Sequence, residues 1–200
     1  AAKNVIAIFN GGALASQRIV FGTVPSINVG GTGKLSATSS SGLPVTFSSV
    51  TPLVCTVAGT TLNGVAAGIC TITADQAGNS AYSAAPQAVQ SFTVNALVPN
   101  APTIGTARAG DAQASVGFSD PSSDGGAVIT SYTVTSNPGG LTGTGPTSPI
   151  GVTGLTNGVS YTFTVTATNR VGSSSASSPS NAVVPVVGVA VVPTGSFAYI

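Results

Sequence analysis

The sequence contains no histidine, glutamate, methionine or tryptophan, and charged residues make up only 4% of its 200 positions. An average soluble protein carries roughly 25% charge, so polarity here must come from serine, threonine and asparagine. Without histidine or glutamate, proton transfer would fall to four aspartates, a tyrosine or a lysine, an inventory that argues against an enzyme. The five basic residues, Lys3, Arg18, Lys34, Arg108 and Arg170, are scattered and leave a net charge of +1. They form no footprint for nucleic acid and no polybasic membrane anchor. The longest apolar run, Ala182 to Val192, is interrupted by Pro185 and Gly188 and is shorter than the about 20 residues of a transmembrane segment. Ala1-Ala2-Lys3 does not open a secretory leader, so the expectation is a mature chain or a fragment of a longer one.

Other absences narrow the chemistry further. No Cys-x-x-Cys pair accompanies the missing histidines, which argues against a metal or redox site. There is no Asn-x-Ser/Thr acceptor for N-glycosylation and no Arg-Gly-Asp, since Arg108-Ala-Gly-Asp111 is interrupted. Val29-Gly-Gly-Thr-Gly-Lys34 is glycine-rich but lacks the spacing and the Lys-Ser/Thr ending of a phosphate loop. Asp120 and Asp124 bring two carboxylates to one loop, whereas calcium takes six to eight oxygens. They read better as turn formers, as does Asp75 before Gln76 and Gly78. Lys34 is the candidate for an isopeptide cross-link, which would need a carboxylic acid nearby. No cofactor and no metal are expected.

What is present favours strands. An apolar fraction of 42% is enough to fold, and 26 glycines and 13 prolines suit turns between short strands rather than helices. Cys55 and Cys70 both lie in apolar, strand-like surroundings. Two readings stand: a disulfide closing a loop of about 15 residues and worth roughly 3 kcal/mol, or two buried free thiols. The disulfide would place the protein outside the cytoplasm.

The clearest stretch is Leu155 to Gly172. Tyr161, Phe163, Val165 and Ala167 alternate with Thr162, Thr164, Thr166 and Thr168, the period-two pattern of a strand with one face on a core. Asn157-Gly158 supplies the turn before it. Leucine, turn, tyrosine and alternating strand together are the signature of a tyrosine corner, here Leu155 and Tyr161, in which the phenol oxygen bonds backbone a few residues upstream. A serine-rich final strand is expected to follow.

With Pro102-Thr-Ile, a strand from Ala112 to Ser119, the Asp124-Gly-Gly turn and Ile129-Thr-Ser-Tyr-Thr-Val134, this region resembles a fibronectin type III module spanning about 102–184. Phe118 stands where that family usually carries a core tryptophan. Residues 17–95 resemble a bacterial immunoglobulin-like cell-surface repeat. The resemblance is carried by Gln17-Arg-Ile-Val-Phe-Gly22, Ser41 to Ser49, Thr51 to Val57, Ala66 to Ala74 and Gln76-Ala-Gly-Asn-Ser-Ala-Tyr82. There Leu53, Cys55 and Val57 share one face and Cys70, Ile72 and Ala74 another.

The expected fold is therefore all-β: two tandem immunoglobulin-like β-sandwiches, 17–95 and 102–184, joined by a proline-stiffened linker at 96–101. Segments 1–16 and 185–200 are surplus to both, and they are apolar and β-prone. Val5, Ile6, Ile8 and Phe9 mark the first, and Val189, Val191, Phe197 and Tyr199 the second. Three explanations compete: extra strands packed on their own domains, strands donated to a neighbouring subunit, or the torn ends of a longer surface protein. The expected function is a secreted structural subunit that polymerises head to tail with copies of itself through these strands. The alternative is an adhesin or substrate-binding accessory module with carbohydrate or a host protein as partner.

Overall fold

The computed structural model describes residues 13–188, which form strands, turns and irregular segments with no helix among them. Both apolar terminal sets, Val5, Ile6, Ile8 and Phe9 and Val189, Val191, Phe197 and Tyr199, lie outside the described residues. The chain divides into two compact units, Ala1–Asn95 and Ala96–Ile200, each a β-sandwich.

Among the described residues the first unit contains nine strands: β1 (Ile19–Phe21), β2 (Ile27–Asn28), β3 (Thr32–Lys34), β4 (Ala37–Ser39), β5 (Thr46–Ser49), β6 (Cys55–Ala58), β7 (Thr61–Gly64), β8 (Gly68–Asp75) and β9 (Ala88–Asn95). One sheet runs β2-β9-β8-β5, the second β3-β7-β6, and β1 and β4 form a two-stranded ribbon. β8 is an inner strand of its sheet: Cys70, Ile72 and Ala74 point inward, Ile69 and Thr71 face out, and Thr73 on that outer set is covered. β2 pairs with β9 in parallel, Ile27 opposite Val94, and both side chains join the core of Leu35, Cys55, Leu62, Cys70 and Ile72. β6 and β7 are joined by a two-residue hairpin in which Gly59, at φ +62°, takes the positive φ that a first loop position can require. A buried polar knot holds the flank: Gln17 Nε2 donates to Gln76 Oε1 and to the Ser83 carbonyl, and Ser41 Oγ donates to Gln17 Oε1.

One sequence expectation changes here. Leu53 does not share a face with Cys55 and Val57; it is 84% exposed. The Thr51 carbonyl accepts the N–H groups of both Val54 and Cys55, so the chain coils through Leu53 and extends only from Cys55 onward.

The second unit contains β10 (Thr103–Ala109), β11 (Gln113–Ser119), β12 (Ile129–Asn137), β13 (Thr142–Gly145), β14 (Ile150–Thr153) and β15 (Thr162–Asn169). Its sheets are β10-β11-β14 and β13-β12-β15, all antiparallel. β15 buries Phe163, Val165 and Ala167 and turns its threonines outward, where Thr164 and Thr166 lie opposite Thr135 and Thr133 of β12. The inward set meets Val116, Phe118, Tyr132, Val134, Ile150 and Val152. Phe118 packs on Tyr132 with ring centroids 4.8 Å apart, so a smaller aromatic fills the tryptophan position by pairing with a neighbour. The backbones of β13 and β14 approach so closely that a Cβ at Gly143 would overlap the Gly151 carbonyl oxygen, which only glycine permits.

The serine-rich segment after β15 is the second departure. It is not a strand but an irregular strap, touching strand-like pairing only at Thr168 with Ser173 and at Tyr161 with Val183.

Candidate functional site

The aspartates, the only side-chain carboxylates of the sequence, all accept hydrogen bonds. Asp75 Oδ1 accepts from Gln87 Nε2, Asp111 Oδ1 from Asn157 Nδ2, Asp120 Oδ1 from the Tyr132 hydroxyl and Asp124 Oδ1 from the Gly126 N–H. The Asn157 amide, with the Gly188 N–H, holds the Asp111 carboxyl below its ordinary range. Burial, reinforced by the Asp120 carboxylate, pushes the Tyr132 phenol up to about 12, so it is a donor at neutral pH and not a base. No group of three or more histidine, cysteine, aspartate or glutamate side chains that could hold a metal occurs among the described residues. Lys34 is exposed on β3 opposite Thr61 of β7, a pairing that offers no carboxylic acid for a cross-link.

The expected corner residues come together at one end of the second unit. The Tyr161 hydroxyl accepts the Thr156 N–H at 3.1 Å, and Leu155 is buried in the core beside it. The corner does more than hold its own turn. The Leu155 N–H donates to the Ala112 carbonyl, and Asn157 Oδ1 accepts the Ala112 N–H. Ala112 has φ +52°, a conformation that costs an alanine roughly 1–2 kcal/mol. These two bonds fix it there and shape the β10–β11 turn. The chain leaves past the same knot, with the Gly158 N–H on the Pro185 carbonyl and the Val186 N–H on the Gly110 carbonyl. Tyr161→Phe removes one partly buried hydrogen bond, and denaturant unfolding should show a loss of about 1 kcal/mol in the second unit with the fold retained.

Cys55 and Cys70 are bonded to each other, S–S 2.01 Å, and both are fully buried. Cys55 lies on β6 and Cys70 on β8, so the bridge crosses between the two sheets of the first unit. It is structural in position, with no solvent access.

The surface that remains open is edge and groove. β1 and β4 each have one side without a partner strand among the described residues. Beside them lies a shallow, mainly apolar groove of about 100 Å³ lined by Val20, Phe21, Gly22, Ser36, Ala37 and Thr38. Val20 is 53% exposed, and Phe21 is only partly buried against Phe47. Nothing in the alternation of Ile19-Val20-Phe21 marks this ribbon as open, because a three-residue strand reads the same whether or not a neighbour covers it.

Among solved structures the chain is similar to domains A168–A170 of titin, at 20% identity and TM-score 0.46, covering 85% of this chain and 66% of that one. It is also similar to the twitchin kinase region from C. elegans, at 24% identity and TM-score 0.41, covering 46% and 18%. Domains FN1–FN3 of chicken CNTN1 match at 22% identity and TM-score 0.40, covering 44% and 33%. The matched part is thus 66% or less of each of these chains. No curated protein matches the sequence. The family model described as the fibronectin type III domain matches residues 99–183, the second sandwich from the linker through the end of the strap.

Proposed function

We propose that the chain is a secreted, non-enzymatic structural subunit of an extracellular fibre or surface appendage, built head to tail by strand addition through its terminal segments. The observation that carries this reading is the β1–β4 ribbon of the first unit, which among the described residues has no further partner strand and carries an apolar groove. An incoming strand would gain main-chain hydrogen bonds along the unpaired side and set the side chains of one face beside Val20, the exposed residue of β1. The terminal sequences, with Val5, Ile6, Ile8 and Phe9 at one end and Val189, Val191, Phe197 and Tyr199 at the other, have the composition of such strands. A net charge of +1 opposes association weakly. Strand donation between different surfaces does not close on itself and so propagates. The buried disulfide supports an extracellular setting. Among the described residues no helix is long and apolar enough to cross a membrane.

Electron microscopy of the intact chain and of truncations lacking 1–10 or 188–200 tests the proposal. Polymers should form with the intact chain and vanish in either truncation, while both units still unfold cooperatively. Polymers that persist unchanged in both truncations would sink it. An intact chain that stays monomeric at every accessible concentration would favour the accessory or adhesin reading, which a pull-down on a polysaccharide panel then examines.

A further inference from the structure

Residues 173–183, Ser-Ser-Ser-Ala-Ser-Ser-Pro-Ser-Asn-Ala-Val, run antiparallel to β15 on a repeat of their own. The N–H groups of Ser174, Ser177, Ser180 and Val183 donate to the carbonyls of Ala167, Val165, Phe163 and Tyr161. The strap advances three residues for every two on β15, one extra residue at each step, so it is bulged at every pairing. In an ordinary ladder the N–H groups of β15 would meet carbonyl oxygens. Here those of Ala167, Val165 and Phe163 donate instead to the hydroxyls of Ser174, Ser177 and Ser180, each at 3.0 Å. The same hydroxyls donate to the carbonyls of Ser175, Ser178 and Asn181.

Two consequences follow from this geometry. The outer side of the strap presents no regular ladder: those three carbonyls already accept from the serine hydroxyls, Pro179 has no N–H, and the Asn181 side chain pairs with the backbone of Ala107. Such an edge cannot template another strand. From 173 to 182 the strap is held by polar contacts, because its buried side chains there are Ser174, Ser177 and Ser180, and only Val183 at its end packs against the core. A segment with little apolar burial is the kind that opens locally, ahead of the sandwich it covers.

We infer that residues 173–183 are a serine-clamped edge seal, which closes β15 to strand addition and is the first part of the second unit to open, exposing β15 as an acceptor edge. The inference is independent of polymer formation. Its signature is an alternation within one strand. The amides of Phe163, Val165 and Ala167 depend on the strap, whereas those of Thr164 and Thr166 face β12, as the alternate bonding of an antiparallel strand requires.

Amide hydrogen exchange by NMR on the full chain tests this. Phe163, Val165 and Ala167 should exchange at least tenfold faster than Thr164 and Thr166. In S174A/S177A/S180A the first three should lose at least a further tenfold, while retained protection at Thr164 and Thr166 reports that the sandwich is intact. An excess of a peptide copying residues 173–183 should restore the lost protection by occupying the exposed edge. The control S175A/S178A, which removes hydroxyls that make no bond to β15, should change nothing. If the triple variant does not fold, S177A alone should expose Val165 selectively. Exchange of all five amides together in the wild-type chain, a triple variant with unaltered protection, or a peptide without effect would each overturn the inference.

Discussion

Replacing Cys55 and Cys70 together by alanine is expected to lower the stability of the first unit by about 3 kcal/mol, the chain-entropy value for a loop of this length. The bridge spans 15 residues of sequence and ties β6 of one sheet to β8 of the other. The unit it serves has little else to spare. Its buried cluster among the described residues is Ile27, Leu35, Leu62, Ile72 and Val94 with the two half-cystines, and Phe21, Phe47 and Phe92 are only partly buried. Domains are marginally stable, at about 5–15 kcal/mol in total, so a loss of this size removes a large fraction. The second unit has no cysteine and supplies an internal reference. Calorimetry of the variant, or of the wild type under reducing conditions, should move one transition down and leave the other in place. A loss below about 1 kcal/mol would show that the sheets of the first unit are held by side-chain packing and that the bridge adds little.

How far the sequence could be read depended on how local the controlling interaction was. The β15 alternation from Tyr161 to Thr168 was legible because a strand with one buried face writes its geometry directly into period two. Leu155 and Tyr161 were legible for the same reason: the corner closes within six residues. Leu53 was misread because an apolar residue two before a buried cysteine fits the same alternation, whereas a turn set by the Thr51 carbonyl takes it out of the strand. The strap was misread as a strand since its period of three appears only against the period of two on β15, a relation between two segments that neither shows alone. The reach of Asn157 to Ala112 and Asp111, 45 and 46 residues away, left no mark on either stretch. The open side of the β1–β4 ribbon was hidden too, for it is defined by the absence of a partner strand among the described residues.

Asn169 combines the legible and the hidden, and its replacement by alanine should cost the second unit about 3 kcal/mol, the sum expected when several buried partners lose their hydrogen bonds and water recovers part of the loss. It ends β15, and its Oδ1 accepts the N–H groups of Val171 and Gly172 in the turn that follows. Its Nδ2 does the distant work, donating to the Leu97 carbonyl at 2.8 Å and to the Asp124 carbonyl at 2.7 Å. One buried amide thereby joins the chain entering the unit, the β11–β12 loop and the turn after β15, using two donors and one acceptor oxygen. Alanine strands all four partners. Aspartate separates the two halves of the role, because it keeps the acceptor for Val171 and Gly172 but turns a carboxylate toward two carbonyl oxygens. Asn169→Asp should therefore lose at least as much as alanine at neutral pH. It should recover in part on acidification, since burial against carbonyl oxygens raises the carboxyl pKa and the protonated form can donate once. Urea unfolding of both variants at pH 7 and pH 4 measures this. An alanine variant within about 1 kcal/mol of wild type, or an aspartate variant indifferent to pH, would mean that water replaces the amide and that the three segments are held by their own backbones.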